Sequence, residues 1–322
     1  MHIKKITVIG AGIMGHGIAQ VCALAGYETM VTDKRKEIFK VAYDRIKSNL
    51  EIFVENGVII SEDVNDTLSK INFVESVADA AKDADFVIEA ATENMTIKKE
   101  VFKELDGICP EHTIFASNTS SFSIAEIASV TNRQDRVVGT HWWNPPHIMP
   151  LVEIVKGRYT SDETVAITKE LIRKLGKVPV VCKDSPGFLG VRLQAALVIE
   201  AISMLEEGLA SAEDIDMTVK MTLGFRVPIL GPLEIVDLGG MDTFLYAYDY
   251  LYKTLGEKFK PPNLLRRKVE LGDLGIKTGK GFYDYKDKSV ESIIRRRDEW
   301  LIGQLKSRGL LKTRKHSQNS NT

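Results

Sequence analysis

The chain has 322 residues, 44% apolar and 27% charged, with 24 glycines and 10 prolines. That composition excludes the disordered, collagen-like and disulfide-stapled classes. Its 43 basic and 44 acidic residues leave a net charge of −1, which excludes a net positive field for gathering nucleic acid or an anionic membrane. No apolar run reaches the roughly 18 residues of a membrane span. Cys22, Cys109 and Cys182 are too scattered for a zinc motif or a disulfide framework, and no metal site is indicated. They read as free thiols, and the start of the chain reads as a strand, not a signal peptide. The expected location is the cytoplasm or another reducing interior.

The length fits two domains. Up to about residue 184, β-branched runs at Ile6–Ile9, Thr29–Thr32, 71–74, Phe86–Ile88, Thr113–Phe115, Val137–Val138, Leu151–Val155 and Val178–Val181 predict strands. Helical stretches at 13–26, 97–107, 123–129 and 162–175 separate most of them. The alternation predicts an α/β domain with a parallel sheet covered on both faces. A charged helical excursion over 34–70 is too long for an ordinary crossover. It is expected to project from the core, toward a substrate. Past Asp184-Ser185-Pro186-Gly187 the strand signal fades. Helices at 188–208, 213–222, 241–255 and 262–271 predict an all-α domain over 185–285. Residues 286–322 read as a charged helix (290–308) and then a frayed polar tail. Arg295-Arg296-Arg297 adjoins Asp298 and Glu299, which marks a solvated face. The glycine-rich Gly275–Gly281 lacks the Ser or Thr that a phosphate loop needs after its Gly-Lys, and reads as a turn.

Two regions carry chemistry. Gly10-Ala11-Gly12-Ile13-Met14-Gly15 closes the first strand and opens the first helix, the context in which GxGxxG binds a dinucleotide. Gly10 permits a tight turn, Gly12 the approach of a pyrophosphate, and Gly15 close packing of helix on strand. Ile13 and Met14 start the helix whose amides face the phosphates. Asp33, at the end of the second strand, suits a ribose diol and repels a 2′-phosphate. That favours NAD over NADP, although Lys34-Arg35 can offset the repulsion. The second region comprises Ala116–Ser121 and Gly139–Pro146, each just after a strand. The first supplies small polar groups, among them Asn118 for the cofactor. The second offers His141 as a base near neutral pH, with Glu153 to fix its tautomer and Asn144 to hold substrate or cofactor. His147 is the rival base.

These residues resemble the L-3-hydroxyacyl-CoA dehydrogenase family over about residues 3–285. The motifs are ITVIGAGIMGHGIAQ, DFVIEAATENMTIKKEVF, TIFASNTSSFSIAEIA, GTHWWNPPHIMPLVEIV, DSPGF and GKGFYDY. The resemblance implies a Rossmann-like doubly wound sheet followed by an all-α C-terminal domain that forms a homodimer. It implies oxidation of a 3-hydroxyacyl-CoA to the 3-ketoacyl-CoA with NAD. His141 matches the general base, Glu153 its partner, Ser120 a contact to the substrate hydroxyl, and Asn144 a site asparagine. Glu93 and Lys98 match cofactor contacts. Three departures stand out. Val191 replaces a second site asparagine. Glu51 and Glu55 lie where lysines usually meet coenzyme A. NPPHIMPLVE, RLQAALVIEAISMLEEG and LGFRVPILGPLE are similar to relatives that oxidise free 3-hydroxy acids, such as gulonate dehydrogenase and lambda-crystallin. A short-chain acyl-CoA is the expected substrate. The alternatives are a free 3-hydroxy acid, and a non-catalytic NAD-binding structural or sensor protein.

Overall fold

A computed structural model describes residues 2–311; the expectation of a frayed end falls on residues 312–322, outside that range. The chain divides into two compact units, up to Ile199 and from Glu200 onward.

In the first unit the order is β1 (Lys5–Ile9), α1 (Gly15–Leu24), β2 (Glu28–Thr32), α2 (Glu37–Glu55), α3 (Ser61–Ser69), β3 (Ile71–Phe73), α4 (Val77–Ala81), β4 (Phe86–Glu89) and α5 (Met95–Ile108). Then come β5 (Ile114–Ser117), α6 (Ile124–Ala128), β6 (Val137–Trp142), β7 (Leu151–Lys156), α7 (Asp162–Lys174), β8 (Val178–Lys183) and the start of α8 (Gly190–Glu206). The eight strands form one sheet, β3-β2-β1-β4-β5-β6-β7-β8. Two apolar clusters cover its faces. Ile6, Val8, Ile18 and Val31 belong to one, and Val87, Phe102, Phe115 and Val155 to the other. Burial on both faces explains why the strands read as apolar runs rather than alternations. Asn94, Ser123 and Ser161 each accept an amide hydrogen bond at a helix start, which fixes where α5, α6 and α7 begin.

Two expectations need correction. The sheet is mixed, because β6 and β7 run antiparallel, pairing His141 with Glu153. Residues 143–150 are too few for the crossover of a dozen or more that parallel strands require. The excursion over 34–70 is two helices, α2 and α3, and it does not project freely. Ala42, Ile46 and Leu50, one turn apart, are fully buried in the first cluster, so one face of α2 packs on the core. Its outer face is charged, and Lys40 and Lys47 pair there with Asp44 and Glu51 of the same helix.

The second unit is helical, as expected: the rest of α8, α9 (Ala212–Met221), α10 (Leu223–Arg226), α11 (Pro232–Gly239), α12 (Met241–Leu255), α13 (Asn263–Glu270) and α14 (Val290–Ser307). The sequence reading missed α11, which lies among glycines. Pro232 sits at its start, where a missing N–H costs nothing, and Glu234 accepts the Gly231 amide at 2.7 Å. Asp237 of α11 is fully buried. It accepts hydrogen bonds from the Phe282 and Tyr283 amides at 2.9 and 3.0 Å and from the Tyr285 hydroxyl at 3.0 Å. A Cβ on Gly281 would lie 2.3 Å from an Asp237 oxygen. The glycine cluster is therefore a turn wrapped on a carboxylate. Asp237→Asn turns an acceptor into a donor facing amides, and should destabilise the protein by about 2–4 kcal/mol in chemical denaturation.

Candidate functional site

The glycine turn sits at the switch point between β1 and β4, where open α/β sheets bind ligands. Gly10 has φ +103°, and a Cβ there would meet the Ala90 carbonyl oxygen at 2.6 Å. At Gly15 a Cβ would lie 1.7 Å from the Gly10 oxygen. Gly12 has nothing within 4 Å of its Cβ position, so the turn is open where a phosphate must approach. No side chain caps the first turn of α1 and no acid lies in it, which leaves amide donors and the positive dipole end available. Ile13 is 64% exposed over a cavity of about 800 Å³ that Gly10, Gly12, Met14 and Asp33 also line. Asp33 accepts the Ala11 amide at 2.9 Å and the Arg35 amide at 3.0 Å. A carboxylate has about four lone-pair sites, so it keeps capacity for a ribose diol. Arg35 lies 3.9 Å from the same carboxylate but is largely exposed. These groups fit NAD.

Next along the sheet is a buried ionic network. Glu89 ends β4 and Lys98 lies in the second turn of α5; both are fully buried. Lys98 Nζ reaches Glu89 Oε1 at 2.8 Å and Glu93 Oε2 at 3.2 Å. The Ser117 hydroxyl donates to Glu89 at 2.6 Å and the Ala91 amide at 2.8 Å. Glu93 accepts from the Thr119 hydroxyl at 2.6 Å and the Ser120 amide at 3.0 Å. Burial raises the Glu93 pKa, but the Thr119 hydrogen bond, the Lys98 charge and the Ser120 amide together hold it below the usual carboxylate value.

Beyond it, His141 lies one residue before the end of β6 and Glu153 faces it from β7. His141 Nδ1 lies 2.6 Å from Glu153 Oε2, with both side chains buried. The other carboxylate oxygen accepts the Leu189 and Gly190 amides at 3.0 and 2.9 Å. Burial pushes the Glu153 carboxyl up, but the His141 bond and the two amides outweigh it and leave the pKa below its ordinary value. An ionised carboxylate only accepts. Nδ1 therefore donates to Glu153, and the neutral ring in this tautomer has its lone pair on Nε2. The Trp143 ring packs 5.1 Å from the imidazole and Phe188 5.8 Å from it. Phe188 is buried with φ +47°, a strained conformation for a bulky residue. Gly190 lies against Trp143, and a Cβ there would meet the indole at 2.3 Å.

The structure thus brings His141 to Glu153, and Glu93 to Lys98 and the Ser120 backbone. Ser120 and Asn144 are exposed. Asn118 spends its side-chain oxygen on the Trp142 amide at 2.8 Å, which leaves its NH2 for a ligand. His147, the rival base, contacts Asn49 at 3.5 Å and packs 6.5 Å from His16, and among the described residues no carboxylate pairs with it. Burial lowers its pKa, as do the neighbouring His16 and Lys177. Sequence reasoning missed Glu89 and the amides of Leu189 and Gly190, and took Ser117 only as one of the small polar groups of Ala116–Ser121. Glu89 left a signal, an acid directly after an apolar strand.

A turn open to phosphate, an acid for a ribose and a carboxylate-held imidazole on one sheet edge belong to the NAD-dependent oxidoreductases. Residues 5–185 match the family "3-hydroxyacyl-CoA dehydrogenase, NAD binding domain", and residues 187–285 match its C-terminal domain. The chain belongs to the 3-hydroxyacyl-CoA dehydrogenase family. It is 44% identical over 290 residues to a probable 3-hydroxybutyryl-CoA dehydrogenase of Bacillus subtilis, covering 90% of this chain and 100% of that one. It is 40% identical over 291 residues to the mitochondrial hydroxyacyl-coenzyme A dehydrogenase of Sus scrofa, covering 88% and 92%. The crystal structure of a 3-hydroxyacyl-CoA dehydrogenase from Archaeoglobus fulgidus superposes with a TM-score of 0.80. It is 38% identical, covering 96% of this chain and 100% of that one.

Asp33→Ala should weaken NADH binding about tenfold and narrow the NADH-over-NADPH preference, read by fluorescence titration of both cofactors. Glu153 should also contribute to the pH dependence of stability. Its folded pKa is depressed. Its contribution is therefore complete above the unfolded value near ~4.3 and is lost as pH falls through the folded one. Denaturant titrations of Glu153→Gln should show lower stability at neutral pH and a flatter acid limb.

Proposed function

We propose that the protein oxidises a short-chain L-3-hydroxyacyl-CoA to the 3-ketoacyl-CoA, with His141 as general base. The observation that carries this reading is the 2.6 Å contact between His141 Nδ1 and the buried Glu153, on the sheet edge that also carries the dinucleotide turn. The Nε2 lone pair takes the hydroxyl proton. Glu153 then stabilises the imidazolium, because its negative charge already faces Nδ1–H. Bound NAD supplies the hydride acceptor. Ser120 and Asn144, both exposed, are assigned to the substrate oxygens. The cradle Gly10–Gly15, Asp33, Glu93, Lys98 and the Asn118 NH2 are assigned to the cofactor. A positioned general base is worth about 10²–10⁴-fold.

The α/β region over 1–184 is assigned to NAD binding and the helical region over 185–285 to dimerisation. Among the described residues no helix is long and apolar enough to cross a membrane. Val198, Ile202 and Leu205 of α8, spaced i, i+4, i+7, are 44–59% exposed, an apolar face suited to a homodimer contact. Cys22 and Cys109 are buried and Cys182 half-buried, all free. Burial pushes the Cys22 and Cys109 thiols up to about 12, which suits unreactive thiols in a reducing cytoplasm.

A free 3-hydroxy acid remains the second reading, favoured by the pairing of Lys40 and Lys47 with acids of their own helix. NADH oxidation with acetoacetyl-CoA, beside acetoacetate at equal concentration, separates the two. Turnover of the thioester is expected, and turnover of the free acid alone would overturn the substrate assignment. His141→Gln should lower kcat at least about 10²-fold with NADH affinity nearly intact. Unchanged turnover would remove His141 from the mechanism.

A further inference from the structure

The sheet order places the cofactor's reactive end. The dinucleotide turn follows β1, and His141 lies near the carboxyl end of β6, with β4 and β5 between them. A cofactor anchored at Gly10–Gly15, with its hydride-accepting ring beside the substrate of His141, must cross the carboxyl ends of β4 and β5. Those ends carry Glu89 and Ser117. Glu93 and Lys98 rise from the loop and helix that follow β4.

The network there is not charge-balanced. Two carboxylates, Glu89 and Glu93, meet one ammonium, Lys98. Lys98 and Glu89 have side-chain exposures of 1% and 0%, and Glu93 of 41%. One negative charge is in excess, and water screens Glu89 little. Burying such a network is costly, and an apolar core of the same volume would usually be as stable. Stability therefore does not account for it. Every oxygen of Glu89 is engaged: Oε1 by Lys98 and Ala91, Oε2 by Ser117 and Lys98. The charge is held in place and cannot turn away.

The two cofactor forms differ in charge at the ring. The nicotinamide is cationic in NAD⁺ and becomes neutral once the hydride has arrived, the hydroxyl proton going to His141. We propose that Glu89 is a positioning residue which, through the Lys98–Glu93 network, fixes one excess negative charge beneath the nicotinamide. It thereby sets the relative affinity of the site for NAD⁺ and NADH. A buried charge that favours the cationic ring holds the oxidised cofactor in place before hydride transfer and loosens the reduced one after it.

The test is a pair of titrations without substrate, NAD⁺ and NADH each followed by protein fluorescence or calorimetry. Glu89→Gln removes the excess charge. It should raise the ratio Kd(NAD⁺)/Kd(NADH) by about fivefold or more, mostly through weaker NAD⁺ binding, as a unit charge near the ring at intermediate dielectric would. Glu89→Gln with Lys98→Met restores the excess of one negative charge, and the ratio should return to within about twofold of the parent. A merely structural role would weaken both forms together, and that outcome overturns the proposal. So does a double variant that keeps the ratio of Glu89→Gln. If Glu89→Gln does not fold, Glu93→Gln removes the same charge at a part-exposed position, and an unchanged ratio there overturns the proposal equally. No step depends on which acyl substrate is used, so failure here leaves the reading of His141 untouched.

Discussion

The arrangement depends on one buried carboxylate. Glu153 joins three segments: the preceding strand β6 through His141, its own strand β7, and the start of α8, thirty-six residues on, through the amides of Leu189 and Gly190. Each of its oxygens has a definite task. One orients the imidazole, and the other ends the chain's passage from sheet to helix. A buried acid with a single partner would tend to protonate. Three donors keep it ionised, and an ionised partner is what gives the imidazole one defined tautomer. The antiparallel turn from β6 to β7 is the topological price of this pair, because only reversed strands put residues 141 and 153 in register.

The cofactor half works by absence instead of contact. Gly10 and Gly15 have no room for a side chain, and Gly12 has room that must stay empty. The two halves meet over β4 and β5, whose carboxyl ends hold buried charge rather than apolar filler. The C-terminal ends of the central strands thus form a graded row: amide donors, then fixed ions, then an imidazole.

Most of this fold is legible in the residues because burial on both sheet faces writes strands as apolar runs, and Asn94, Ser123 and Ser161 mark helix starts chemically. Strand direction was harder, since Leu151–Val155 reads the same either way. The short segment before it held the information. The spacing of Ala42, Ile46 and Leu50 likewise showed a packed helix face, but the charges around it drew attention outward. Glu89 was illegible for a different reason. Its importance comes from Lys98, Ser117 and Ala91 converging on it in space, and a lone acid after Phe86-Val87-Ile88 does not show that. The resemblance pointed to Glu93 and Lys98, two members of the network, but not to the second acid that Lys98 holds. Helix α11 hid between Gly231 and Gly240, and the chain that wraps its Asp237 lies more than forty residues further on, at Phe282 and Tyr283.

Gly190 and Trp143 form a matched pair beside the imidazole, one lacking a side chain because the other's ring fills the space. Their identities are therefore coupled: a larger residue at 190 demands a smaller one at 143, and a smaller ring at 143 leaves a void next to the imidazole. Trp143 can shrink alone and open space beside the imidazole, whereas residue 190 can grow only after it has. The order of change at this pair is therefore fixed, with the ring at 143 giving way first.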